Sequence, residues 1–171
     1  MTRELTGRAR RLGEDVNTDY IISSTRKRDS IDENVLARYL FETLDPAFAA
    51  SVQPGDILVA GRNFGCGSAM EIAVTVILAA GIRAVVAESF ARTFYRNAIN
   101  NGLIPVECVT TGIAERDKIT VRLGDESVDV MHERSGAILT AQPIPPFMLE
   151  ILECGGLVPY VRDRAKDLGE P

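Results

Sequence analysis

The chain has 171 residues, of which 46% are hydrophobic and 25% are charged, a composition typical of a globular protein with a substantial buried core. Its net charge of −5 argues against nucleic acid as the main partner, because phosphate binding usually needs a basic face. No apolar run approaches the ~20 residues of a membrane span, and the first residues lack the hydrophobic region of a signal peptide. We therefore expect no membrane partner and a cytoplasmic location.

The first third of the sequence predicts one strand followed by turns and short helices. Residues 5–12 are expected to form the strand, and residues 13–19 a turn rich in Asp and Asn, whose side chains bond to nearby backbone groups. The polar segment 23–30 is expected to be a mobile loop. Helical spacing of apolar residues begins after Asp32, a candidate N-cap, and a second short helix is expected over 45–52.

The middle third alternates between buried strands and helices. Short apolar runs at 56–60, 83–88 and 103–108 predict strands, and the segments 70–80 and 89–97 predict the helices that connect them. Two consecutive strand–helix–strand units imply parallel pairing with right-handed crossovers.

The last third predicts short strands over 118–123, 128–130 and 138–140, and a final helix over 147–153 that a pair of glycines ends. Because these strands flank a parallel core, we predict an α/β fold with three β/β/α layers and a mixed, partly parallel sheet. No linker or internal repeat is evident, so residues 1–171 are expected to form a single domain.

Cysteine and histidine are too sparse to predict a metal site on this chain. Cys66, Cys108 and Cys154 are far apart and form no C-x-x-C pair, which is a poor pattern for zinc, an iron–sulfur cluster or a disulfide framework. His132 is the single histidine, and we expect it to be solvated or hydrogen-bonded. We predict no metal ligand, and only Cys66 is expected near any chemistry.

The segment Gly61-Arg62-Asn63-Phe64-Gly65-Cys66-Gly67-Ser68 joins the first central strand to its helix. Its three glycines free the backbone, and a helix N-terminus after it would present N–H groups and a positive dipole end to an anion. This arrangement would offer Ser68 to a ligand. The same pattern is also typical of a helix cap and a tight turn without catalysis.

Four segments in order resemble one known family. They are Asp15-Val16-Asn17-Thr18-Asp19, residues 44–49 with 54–57, residues 61–68 (G-x-N-F-G-C-G-S), and residues 91–100 (A-R-x-F-Y-R-N-A-I-N). The sequence resembles the small subunits of the 3-isopropylmalate dehydratase and homoaconitase group, which are similar to the swivelling domain of aconitase. The resemblance extends from about Gly7 to Cys108 and, more weakly, to Leu157, and it implies that residues 1–171 form a swivelling domain.

The resemblance implies half of a two-subunit hydro-lyase. A large subunit would hold a [4Fe-4S] cluster on its own cysteines, and the complex would dehydrate and isomerise a 2-hydroxy dicarboxylate. The first expectation is 3-isopropylmalate, in leucine biosynthesis. A homoaconitate-like or dimethylmalate-like substrate and a non-catalytic anion-binding paralogue are the alternatives. An isolated small subunit could also self-associate.

The resemblance also assigns roles to site residues. Ser68 would act as the base in its alkoxide form, supported by Gly67, and Asp19 would pair with a histidine of the large subunit. Gly67 and Thr18 are candidate substrate-binding residues. Without the resemblance, Asp19 is typical of a turn.

One departure from the family changes the expected substrate contacts. Where the family has Ser-Arg-Glu after the catalytic serine, this chain has Ala69-Met70-Glu71, and methionine cannot replace the charged fork with which arginine binds a carboxylate. Ungapped alignment places Arg28 on the family position that contacts the variable end of the substrate. We expect that Arg26 or Arg28 replaces the lost arginine or that the substrate differs from isopropylmalate. A run of three basic residues is also typical of a solvated loop.

Overall fold

The computed structural model describes residues 3–124 and 126–167. The strands of this part of the chain are β1 (Arg3–Arg11), β2 (Ile57–Ala60), β3 (Ala84–Ala87), β4 (Ile104–Glu107), β5 (Lys118–Leu123), β6 (Val128–His132) and β7 (Ile138–Ala141). The helices are α1 (Thr18–Ile21), α2 (Ser24–Asp29), α3 (Glu33–Leu36), α4 (Phe48–Ser51), α5 (Ile72–Ala79), α6 (Arg92–Asn101), α7 (Pro146–Glu153) and α8 (Leu157–Asp167), with a 3₁₀ turn at Ala37–Tyr39.

The described strands form one sheet in the order β4-β3-β2-β1-β5-β6-β7. β1 through β4 pair in parallel, and β5, β6 and β7 continue the sheet as antiparallel neighbours. β1 joins the two halves, because residues 3–8 pair with β5 and residues 9–11 pair with β2. The predicted α/β class and the mixed, partly parallel sheet are confirmed.

Apolar side chains fill both faces of the parallel half of the sheet. Successive strand residues point to opposite faces, so Leu58 and Ala60 belong to one hydrophobic cluster while Ile57 and Val59 belong to the other. The first cluster includes residues of α1, α3 and α5, and the second includes residues of α7, α8 and the antiparallel strands. Parallel strands that are covered on both faces need the continuously apolar sequences found here.

An ion-pair network fixes β1 against the turn that precedes β2. Arg8 donates two hydrogen bonds of 2.9 Å to Asp56, and Arg10 donates a third of 3.4 Å. Asp56 is 3% exposed, so these donors replace the water that its carboxylate loses. Gly7 allows the close approach, because a Cβ at this residue would lie 1.9 Å from the carbonyl oxygen of Gly55.

Three predicted elements differ from the structure. Residues 24–29 form helix α2, so the expected mobile loop is wrong; Ser23 caps this helix by accepting a hydrogen bond from the Arg26 N–H. The helix predicted over 70–80 begins only at Ile72. The helix predicted over 147–153 is α7 and the glycine pair follows it as expected, but it is not the final helix, since α8 comes after the glycines.

The predictions for Asp32 and His132 are confirmed. Asp32 accepts a hydrogen bond from the N–H of Asn34 and so caps α3. His132 is buried and fully engaged: Nε2 lies 2.8 Å from Asp117 Oδ2, and Nδ1 lies 2.8 Å from the Ser135 hydroxyl. None of the described helices is long and apolar enough to cross a membrane.

Candidate active site

The glycine-rich segment lies where three parallel strands end. β1, β2 and β3 run in the same direction, so the loops that follow them meet at one edge of the sheet, the usual place for a ligand site in a parallel sheet. Backbone hydrogen bonds join the three loops: Gly65 donates to the Val16 carbonyl at 2.8 Å, and Ala91 donates to the Phe64 carbonyl at 2.9 Å. Three of the segments that carry the family resemblance, although distant in sequence, thus lie together at this edge.

Gly67 is required by its backbone conformation and by its neighbour. Its φ is +97°, in the region that disfavours other residues. A Cβ at this residue would lie 2.5 Å from Oδ1 of Asn17. The same Oδ1 accepts a 2.9 Å hydrogen bond from the N–H of Asp19 and so caps α1. Gly67 therefore lets Asn17 hold the glycine-rich segment and α1 together.

Ser68 is exposed on this edge. Its carbonyl oxygen accepts a 3.1 Å hydrogen bond from the buried hydroxyl of Thr18, and Thr18 N–H donates to the carbonyl of Cys66 at 2.8 Å. Within the described part of the chain, the Ser68 hydroxyl has no hydrogen-bond partner. The backbone N–H groups of residues 67–70 likewise form no backbone hydrogen bond there. The segment thus presents one hydroxyl and several donors to a ligand.

The structure corrects the source of electrostatic support for Ser68. Helix α5 begins at Ile72 with Glu71 as its N-cap residue, without a side-chain cap. Ser68 therefore precedes the helix, whereas the sequence predicted it at the helix N-terminus. Because the dipole effect falls off within the first turn, the loop N–H groups are the nearer stabilising groups for negative charge on Ser68.

Asp19 and Thr18 occupy different environments although they are adjacent. The Asp19 side chain is about half exposed; its Oδ1 accepts a 2.7 Å hydrogen bond from the Ser24 hydroxyl, which leaves the carboxylate open to a further partner. The Thr18 side chain is buried and its hydroxyl is used by the Ser68 carbonyl. Thr18 positions the segment, and its direct contact with substrate stays a prediction.

The structure separates the two candidate arginines. Arg26 forms a two-bond fork with Glu42, at 2.8 and 3.0 Å, and its guanidinium lies 3.9 Å from the centre of the Tyr39 ring. The hydrogen bonds that Arg26 donates to Glu42 raise the pKa of Arg26 above its ordinary value. Arg28 is exposed and takes part in no ion pair among the described residues. A substrate contact by Arg26 would require breaking an existing pair, whereas Arg28 is available.

Lys27 is the site residue that sequence reasoning missed. Its Nζ contacts Sδ of Met70 and lies 3.7 Å from Oδ1 of Asp19. The basic run 26–28 was the available signal. Successive residues of a helix point about 100° apart, so only the helical geometry of α2 shows that Arg26 reaches Glu42 while Lys27 reaches the segment after Ser68.

The surroundings of Cys66 and Cys108 disfavour the reactive thiolate form. Burial, with a smaller contribution from Asp15, raises the pKa of the Cys66 thiol, and burial raises the pKa of Cys108 to about 11. Raised values keep both thiols protonated near neutral pH. Across residues 3–124 and 126–167, no group of three or more His, Cys, Asp or Glu side chains could hold a metal ion.

Comparison with known proteins identifies the family. The model of the Aconitase C-terminal domain matches residues 10–111. The chain is 44% identical to the 3-isopropylmalate dehydratase small subunit of Moorella thermoacetica, covering 95% of this chain and 97% of the relative. It is 43% identical to the isopropylmalate/citramalate isomerase small subunit of Methanocaldococcus jannaschii, covering 94% and 95%.

A solved structure is similar throughout. The crystal structure of 3-isopropylmalate dehydratase from Methanocaldococcus jannaschii superimposes with a TM-score of 0.92 at 40% sequence identity and covers 98% of each chain. The fold and the sequence alignment both extend over nearly the whole length. The chain therefore belongs to the aconitase C-terminal domain family, among relatives named 3-isopropylmalate dehydratase small subunit.

Proposed function

We propose that this chain is the small subunit of a heteromeric hydro-lyase that isomerises 3-isopropylmalate in leucine biosynthesis. The observation that carries this proposal is the 44% identity, over 95% of the chain, to a 3-isopropylmalate dehydratase small subunit. The homoaconitate-like, dimethylmalate-like and non-catalytic alternatives have no comparable support. Citramalate is a second candidate substrate, because the Methanocaldococcus jannaschii relative carries that name as well.

Ser68 is the group of this chain that handles the proton. Dehydration removes a proton from one carbon and hydroxide from its neighbour, which leaves an alkene and water, and isomerisation adds them back in exchanged positions. A serine hydroxyl is a poor base in water, so its oxyanion needs nearby donors. The unpaired N–H groups of residues 67–70 support this role. The hydrogen bond from the Thr18 hydroxyl to the Ser68 carbonyl holds this segment against α1.

Asp19 and the remaining candidates act around Ser68. The half-exposed Asp19 carboxylate, which accepts a hydrogen bond from Ser24 and lies 3.7 Å from Lys27, orients a histidine of the large subunit in this proposal. Gly67 allows substrate to approach the backbone because it has no side chain, and the available Arg28 contacts the variable end of the substrate. Arg26 supports α2 through Glu42 unless substrate displaces that pair.

The iron–sulfur cluster belongs to the large subunit in this proposal. Cys66 follows β2, Cys108 follows β4 and Cys154 follows α7, and the described residues form no metal-holding group, so this chain does not fit a cluster. When bound in the large subunit, a [4Fe-4S] cluster supplies a Lewis acid for the leaving hydroxyl. The proposal further places residues 1–171 in one swivelling domain that works in the cytoplasm.

Reconstitution tests the proposal. The chain is co-purified anaerobically with a cluster-bearing large subunit, and turnover is measured with 3-isopropylmalate, citramalate, homoaconitate and dimethylmalate. We expect 3-isopropylmalate to have the highest kcat/KM. An assembled, iron-loaded complex that converts none of them would refute the enzymatic function and favour the anion-binding paralogue. A higher kcat/KM for another substrate would reassign the substrate and retain the chemistry.

A further inference from the structure

The ammonium group of Lys27 lies between α1 and the segment that follows Ser68. On one side Nζ contacts Sδ of Met70, two residues after Ser68. On the other side it lies 3.7 Å from Oδ1 of Asp19, whose neighbour Thr18 donates to the Ser68 carbonyl. Two separate contacts therefore place the charge of Lys27 at the candidate active site.

The existing partners of Lys27 leave its hydrogen-bonding capacity largely unused. An ammonium group has three N–H donors, but the thioether of Met70 is neutral and a weak acceptor. The Asp19 oxygen is distant at 3.7 Å and already accepts a hydrogen bond from the Ser24 hydroxyl. The Lys27 side chain is only 21% exposed. A cation on a partly buried side chain with such weak partners favours an added anion.

The other cations of α2 are arranged differently. Arg26 is engaged by Glu42 and Tyr39, and Arg28 is exposed. Residue 70 carries no charge, so the positive charge against this part of the segment comes from Lys27. A dicarboxylate that reaches Ser68 would therefore meet the Lys27 ammonium group, whereas the Arg26 fork is held by Glu42.

We propose that Lys27 is a substrate-binding residue whose ammonium group receives one carboxylate of the substrate beside Ser68, with Met70 as the neutral support that keeps the lysine in place. This inference rests on the proposed function, which supplies the dicarboxylate. It replaces the expectation that Arg26 takes over the role of the missing arginine, and it leaves Arg28 free to contact the other end of the substrate.

The test is Lys27→Met in the reconstituted two-subunit complex, with Lys118→Met as the matched control. Lys118 is an exposed lysine at the start of β5, so the control removes the same charge elsewhere. A hydrogen bond to a charged group predicts a KM for 3-isopropylmalate raised about 10- to 100-fold in Lys27→Met, with kcat changed less than about threefold. Lys118→Met is expected to keep both constants.

Two further measurements distinguish substrate binding from a structural role. A monomethyl ester of the substrate, tested as an inhibitor, lacks one carboxylate, and Lys27→Met is expected to remove most of the preference for the diacid over the ester. The double variant Lys27→Met/Met70→Arg moves the positive charge to the side chain that Lys27 contacts. We expect its KM to return most of the way to the wild-type value. Lys27→Gln repeats the test if Lys27→Met does not assemble.

A KM within twofold of wild type, or equal loss of affinity for diacid and ester, would overturn the proposal. If the wild-type complex converts no substituted malate, the proposed function fails separately. In that case, calorimetry of citramalate and malate binding to the same complexes tests whether Lys27 binds a carboxylate. Weaker binding by Lys27→Met alone supports the proposal, and equal binding by both variants, or none by wild type, overturns it.

Discussion

Gly67→Ala tests the geometry that links the glycine-rich segment to α1. Two penalties apply to this substitution. The φ of +97° costs a residue with a Cβ about 1 kcal/mol. The new Cβ would also lie 2.5 Å from Asn17 Oδ1, so Asn17 must move and release the N-cap hydrogen bond to Asp19, a loss of about 1 kcal/mol.

The structure offers a matched control for the first penalty. Gly55 has nearly the same φ, +91°, but a Cβ there meets nothing within 4 Å. We therefore expect Gly67→Ala to lower the free energy of unfolding by about 2 kcal/mol and Gly55→Ala by about 1 kcal/mol. In an Asn17→Ala background, where the obstructing atoms are absent, Gly67→Ala should lower the free energy of unfolding by only about 1 kcal/mol more.

Urea unfolding of the isolated chain, followed by circular dichroism, measures these differences. The double-mutant cycle should give a coupling energy of about 1 kcal/mol between Gly67 and Asn17. Equal destabilisation by Gly67→Ala and Gly55→Ala, or a coupling energy near zero, would refute the close contact between these two residues.

Three further predictions concern charge and reactivity. Burial opposes ionisation of Asp56, but the hydrogen bonds from Arg8 and the Gln53 N–H outweigh it and lower the pKa of Asp56 below its ordinary 3.8. Stability from this group is therefore complete above pH 3.8 and declines as the pH falls through the lower folded-state value. Asp56→Asn should lower the free energy of unfolding by about 3 kcal/mol at pH 7 and weaken the decline of stability at low pH, as measured by urea unfolding. An unchanged decline at low pH would contradict this prediction. Iodoacetamide at pH 8, followed by mass spectrometry, should alkylate the exposed Cys154 fastest and Cys108 slowest, and the reverse order would contradict the burial of Cys108. Arg28→Ala should change the preference among 2-hydroxy dicarboxylates, and an unchanged preference and rate would exclude Arg28 from the site.

The parallel half of the fold was predictable because local signals and tertiary structure agree there. Short apolar runs correspond to β2, β3 and β4, and their continuous burial explains why these runs do not alternate with polar residues. Gly102 ends α6 with a φ of +81°, the left-handed conformation that favours glycine after a helix. At these places no distant contact overrides the local preference.

Distant contacts decide the elements that were not predictable. Residues 69–71 favour a helix by propensity, but Thr18 holds the chain through Ser68 against α1, so α5 begins later. Helix α2 is polar and short, and its Arg26 pairs with Glu42, which lies 16 residues away in the sequence. The motifs that carry the resemblance put Thr18 and Ser68 in one candidate site, and these two residues are in contact in the structure. The motifs could not show that Lys27, rather than Arg26, reaches Met70.

The central claim is that Ser68 of this chain takes the carbon-bound proton. Solvent deuterium exchange into the substrate tests it most directly, because NMR follows the proton at the reacting carbon itself. In the reconstituted complex in D₂O, wild type should exchange this proton, and Ser68→Ala should lower the exchange rate about 10²- to 10⁴-fold. The control variant Ser127→Ala changes an exposed serine before β6, and it should exchange the substrate proton at the wild-type rate. Exchange by Ser68→Ala at the wild-type rate would contradict the account.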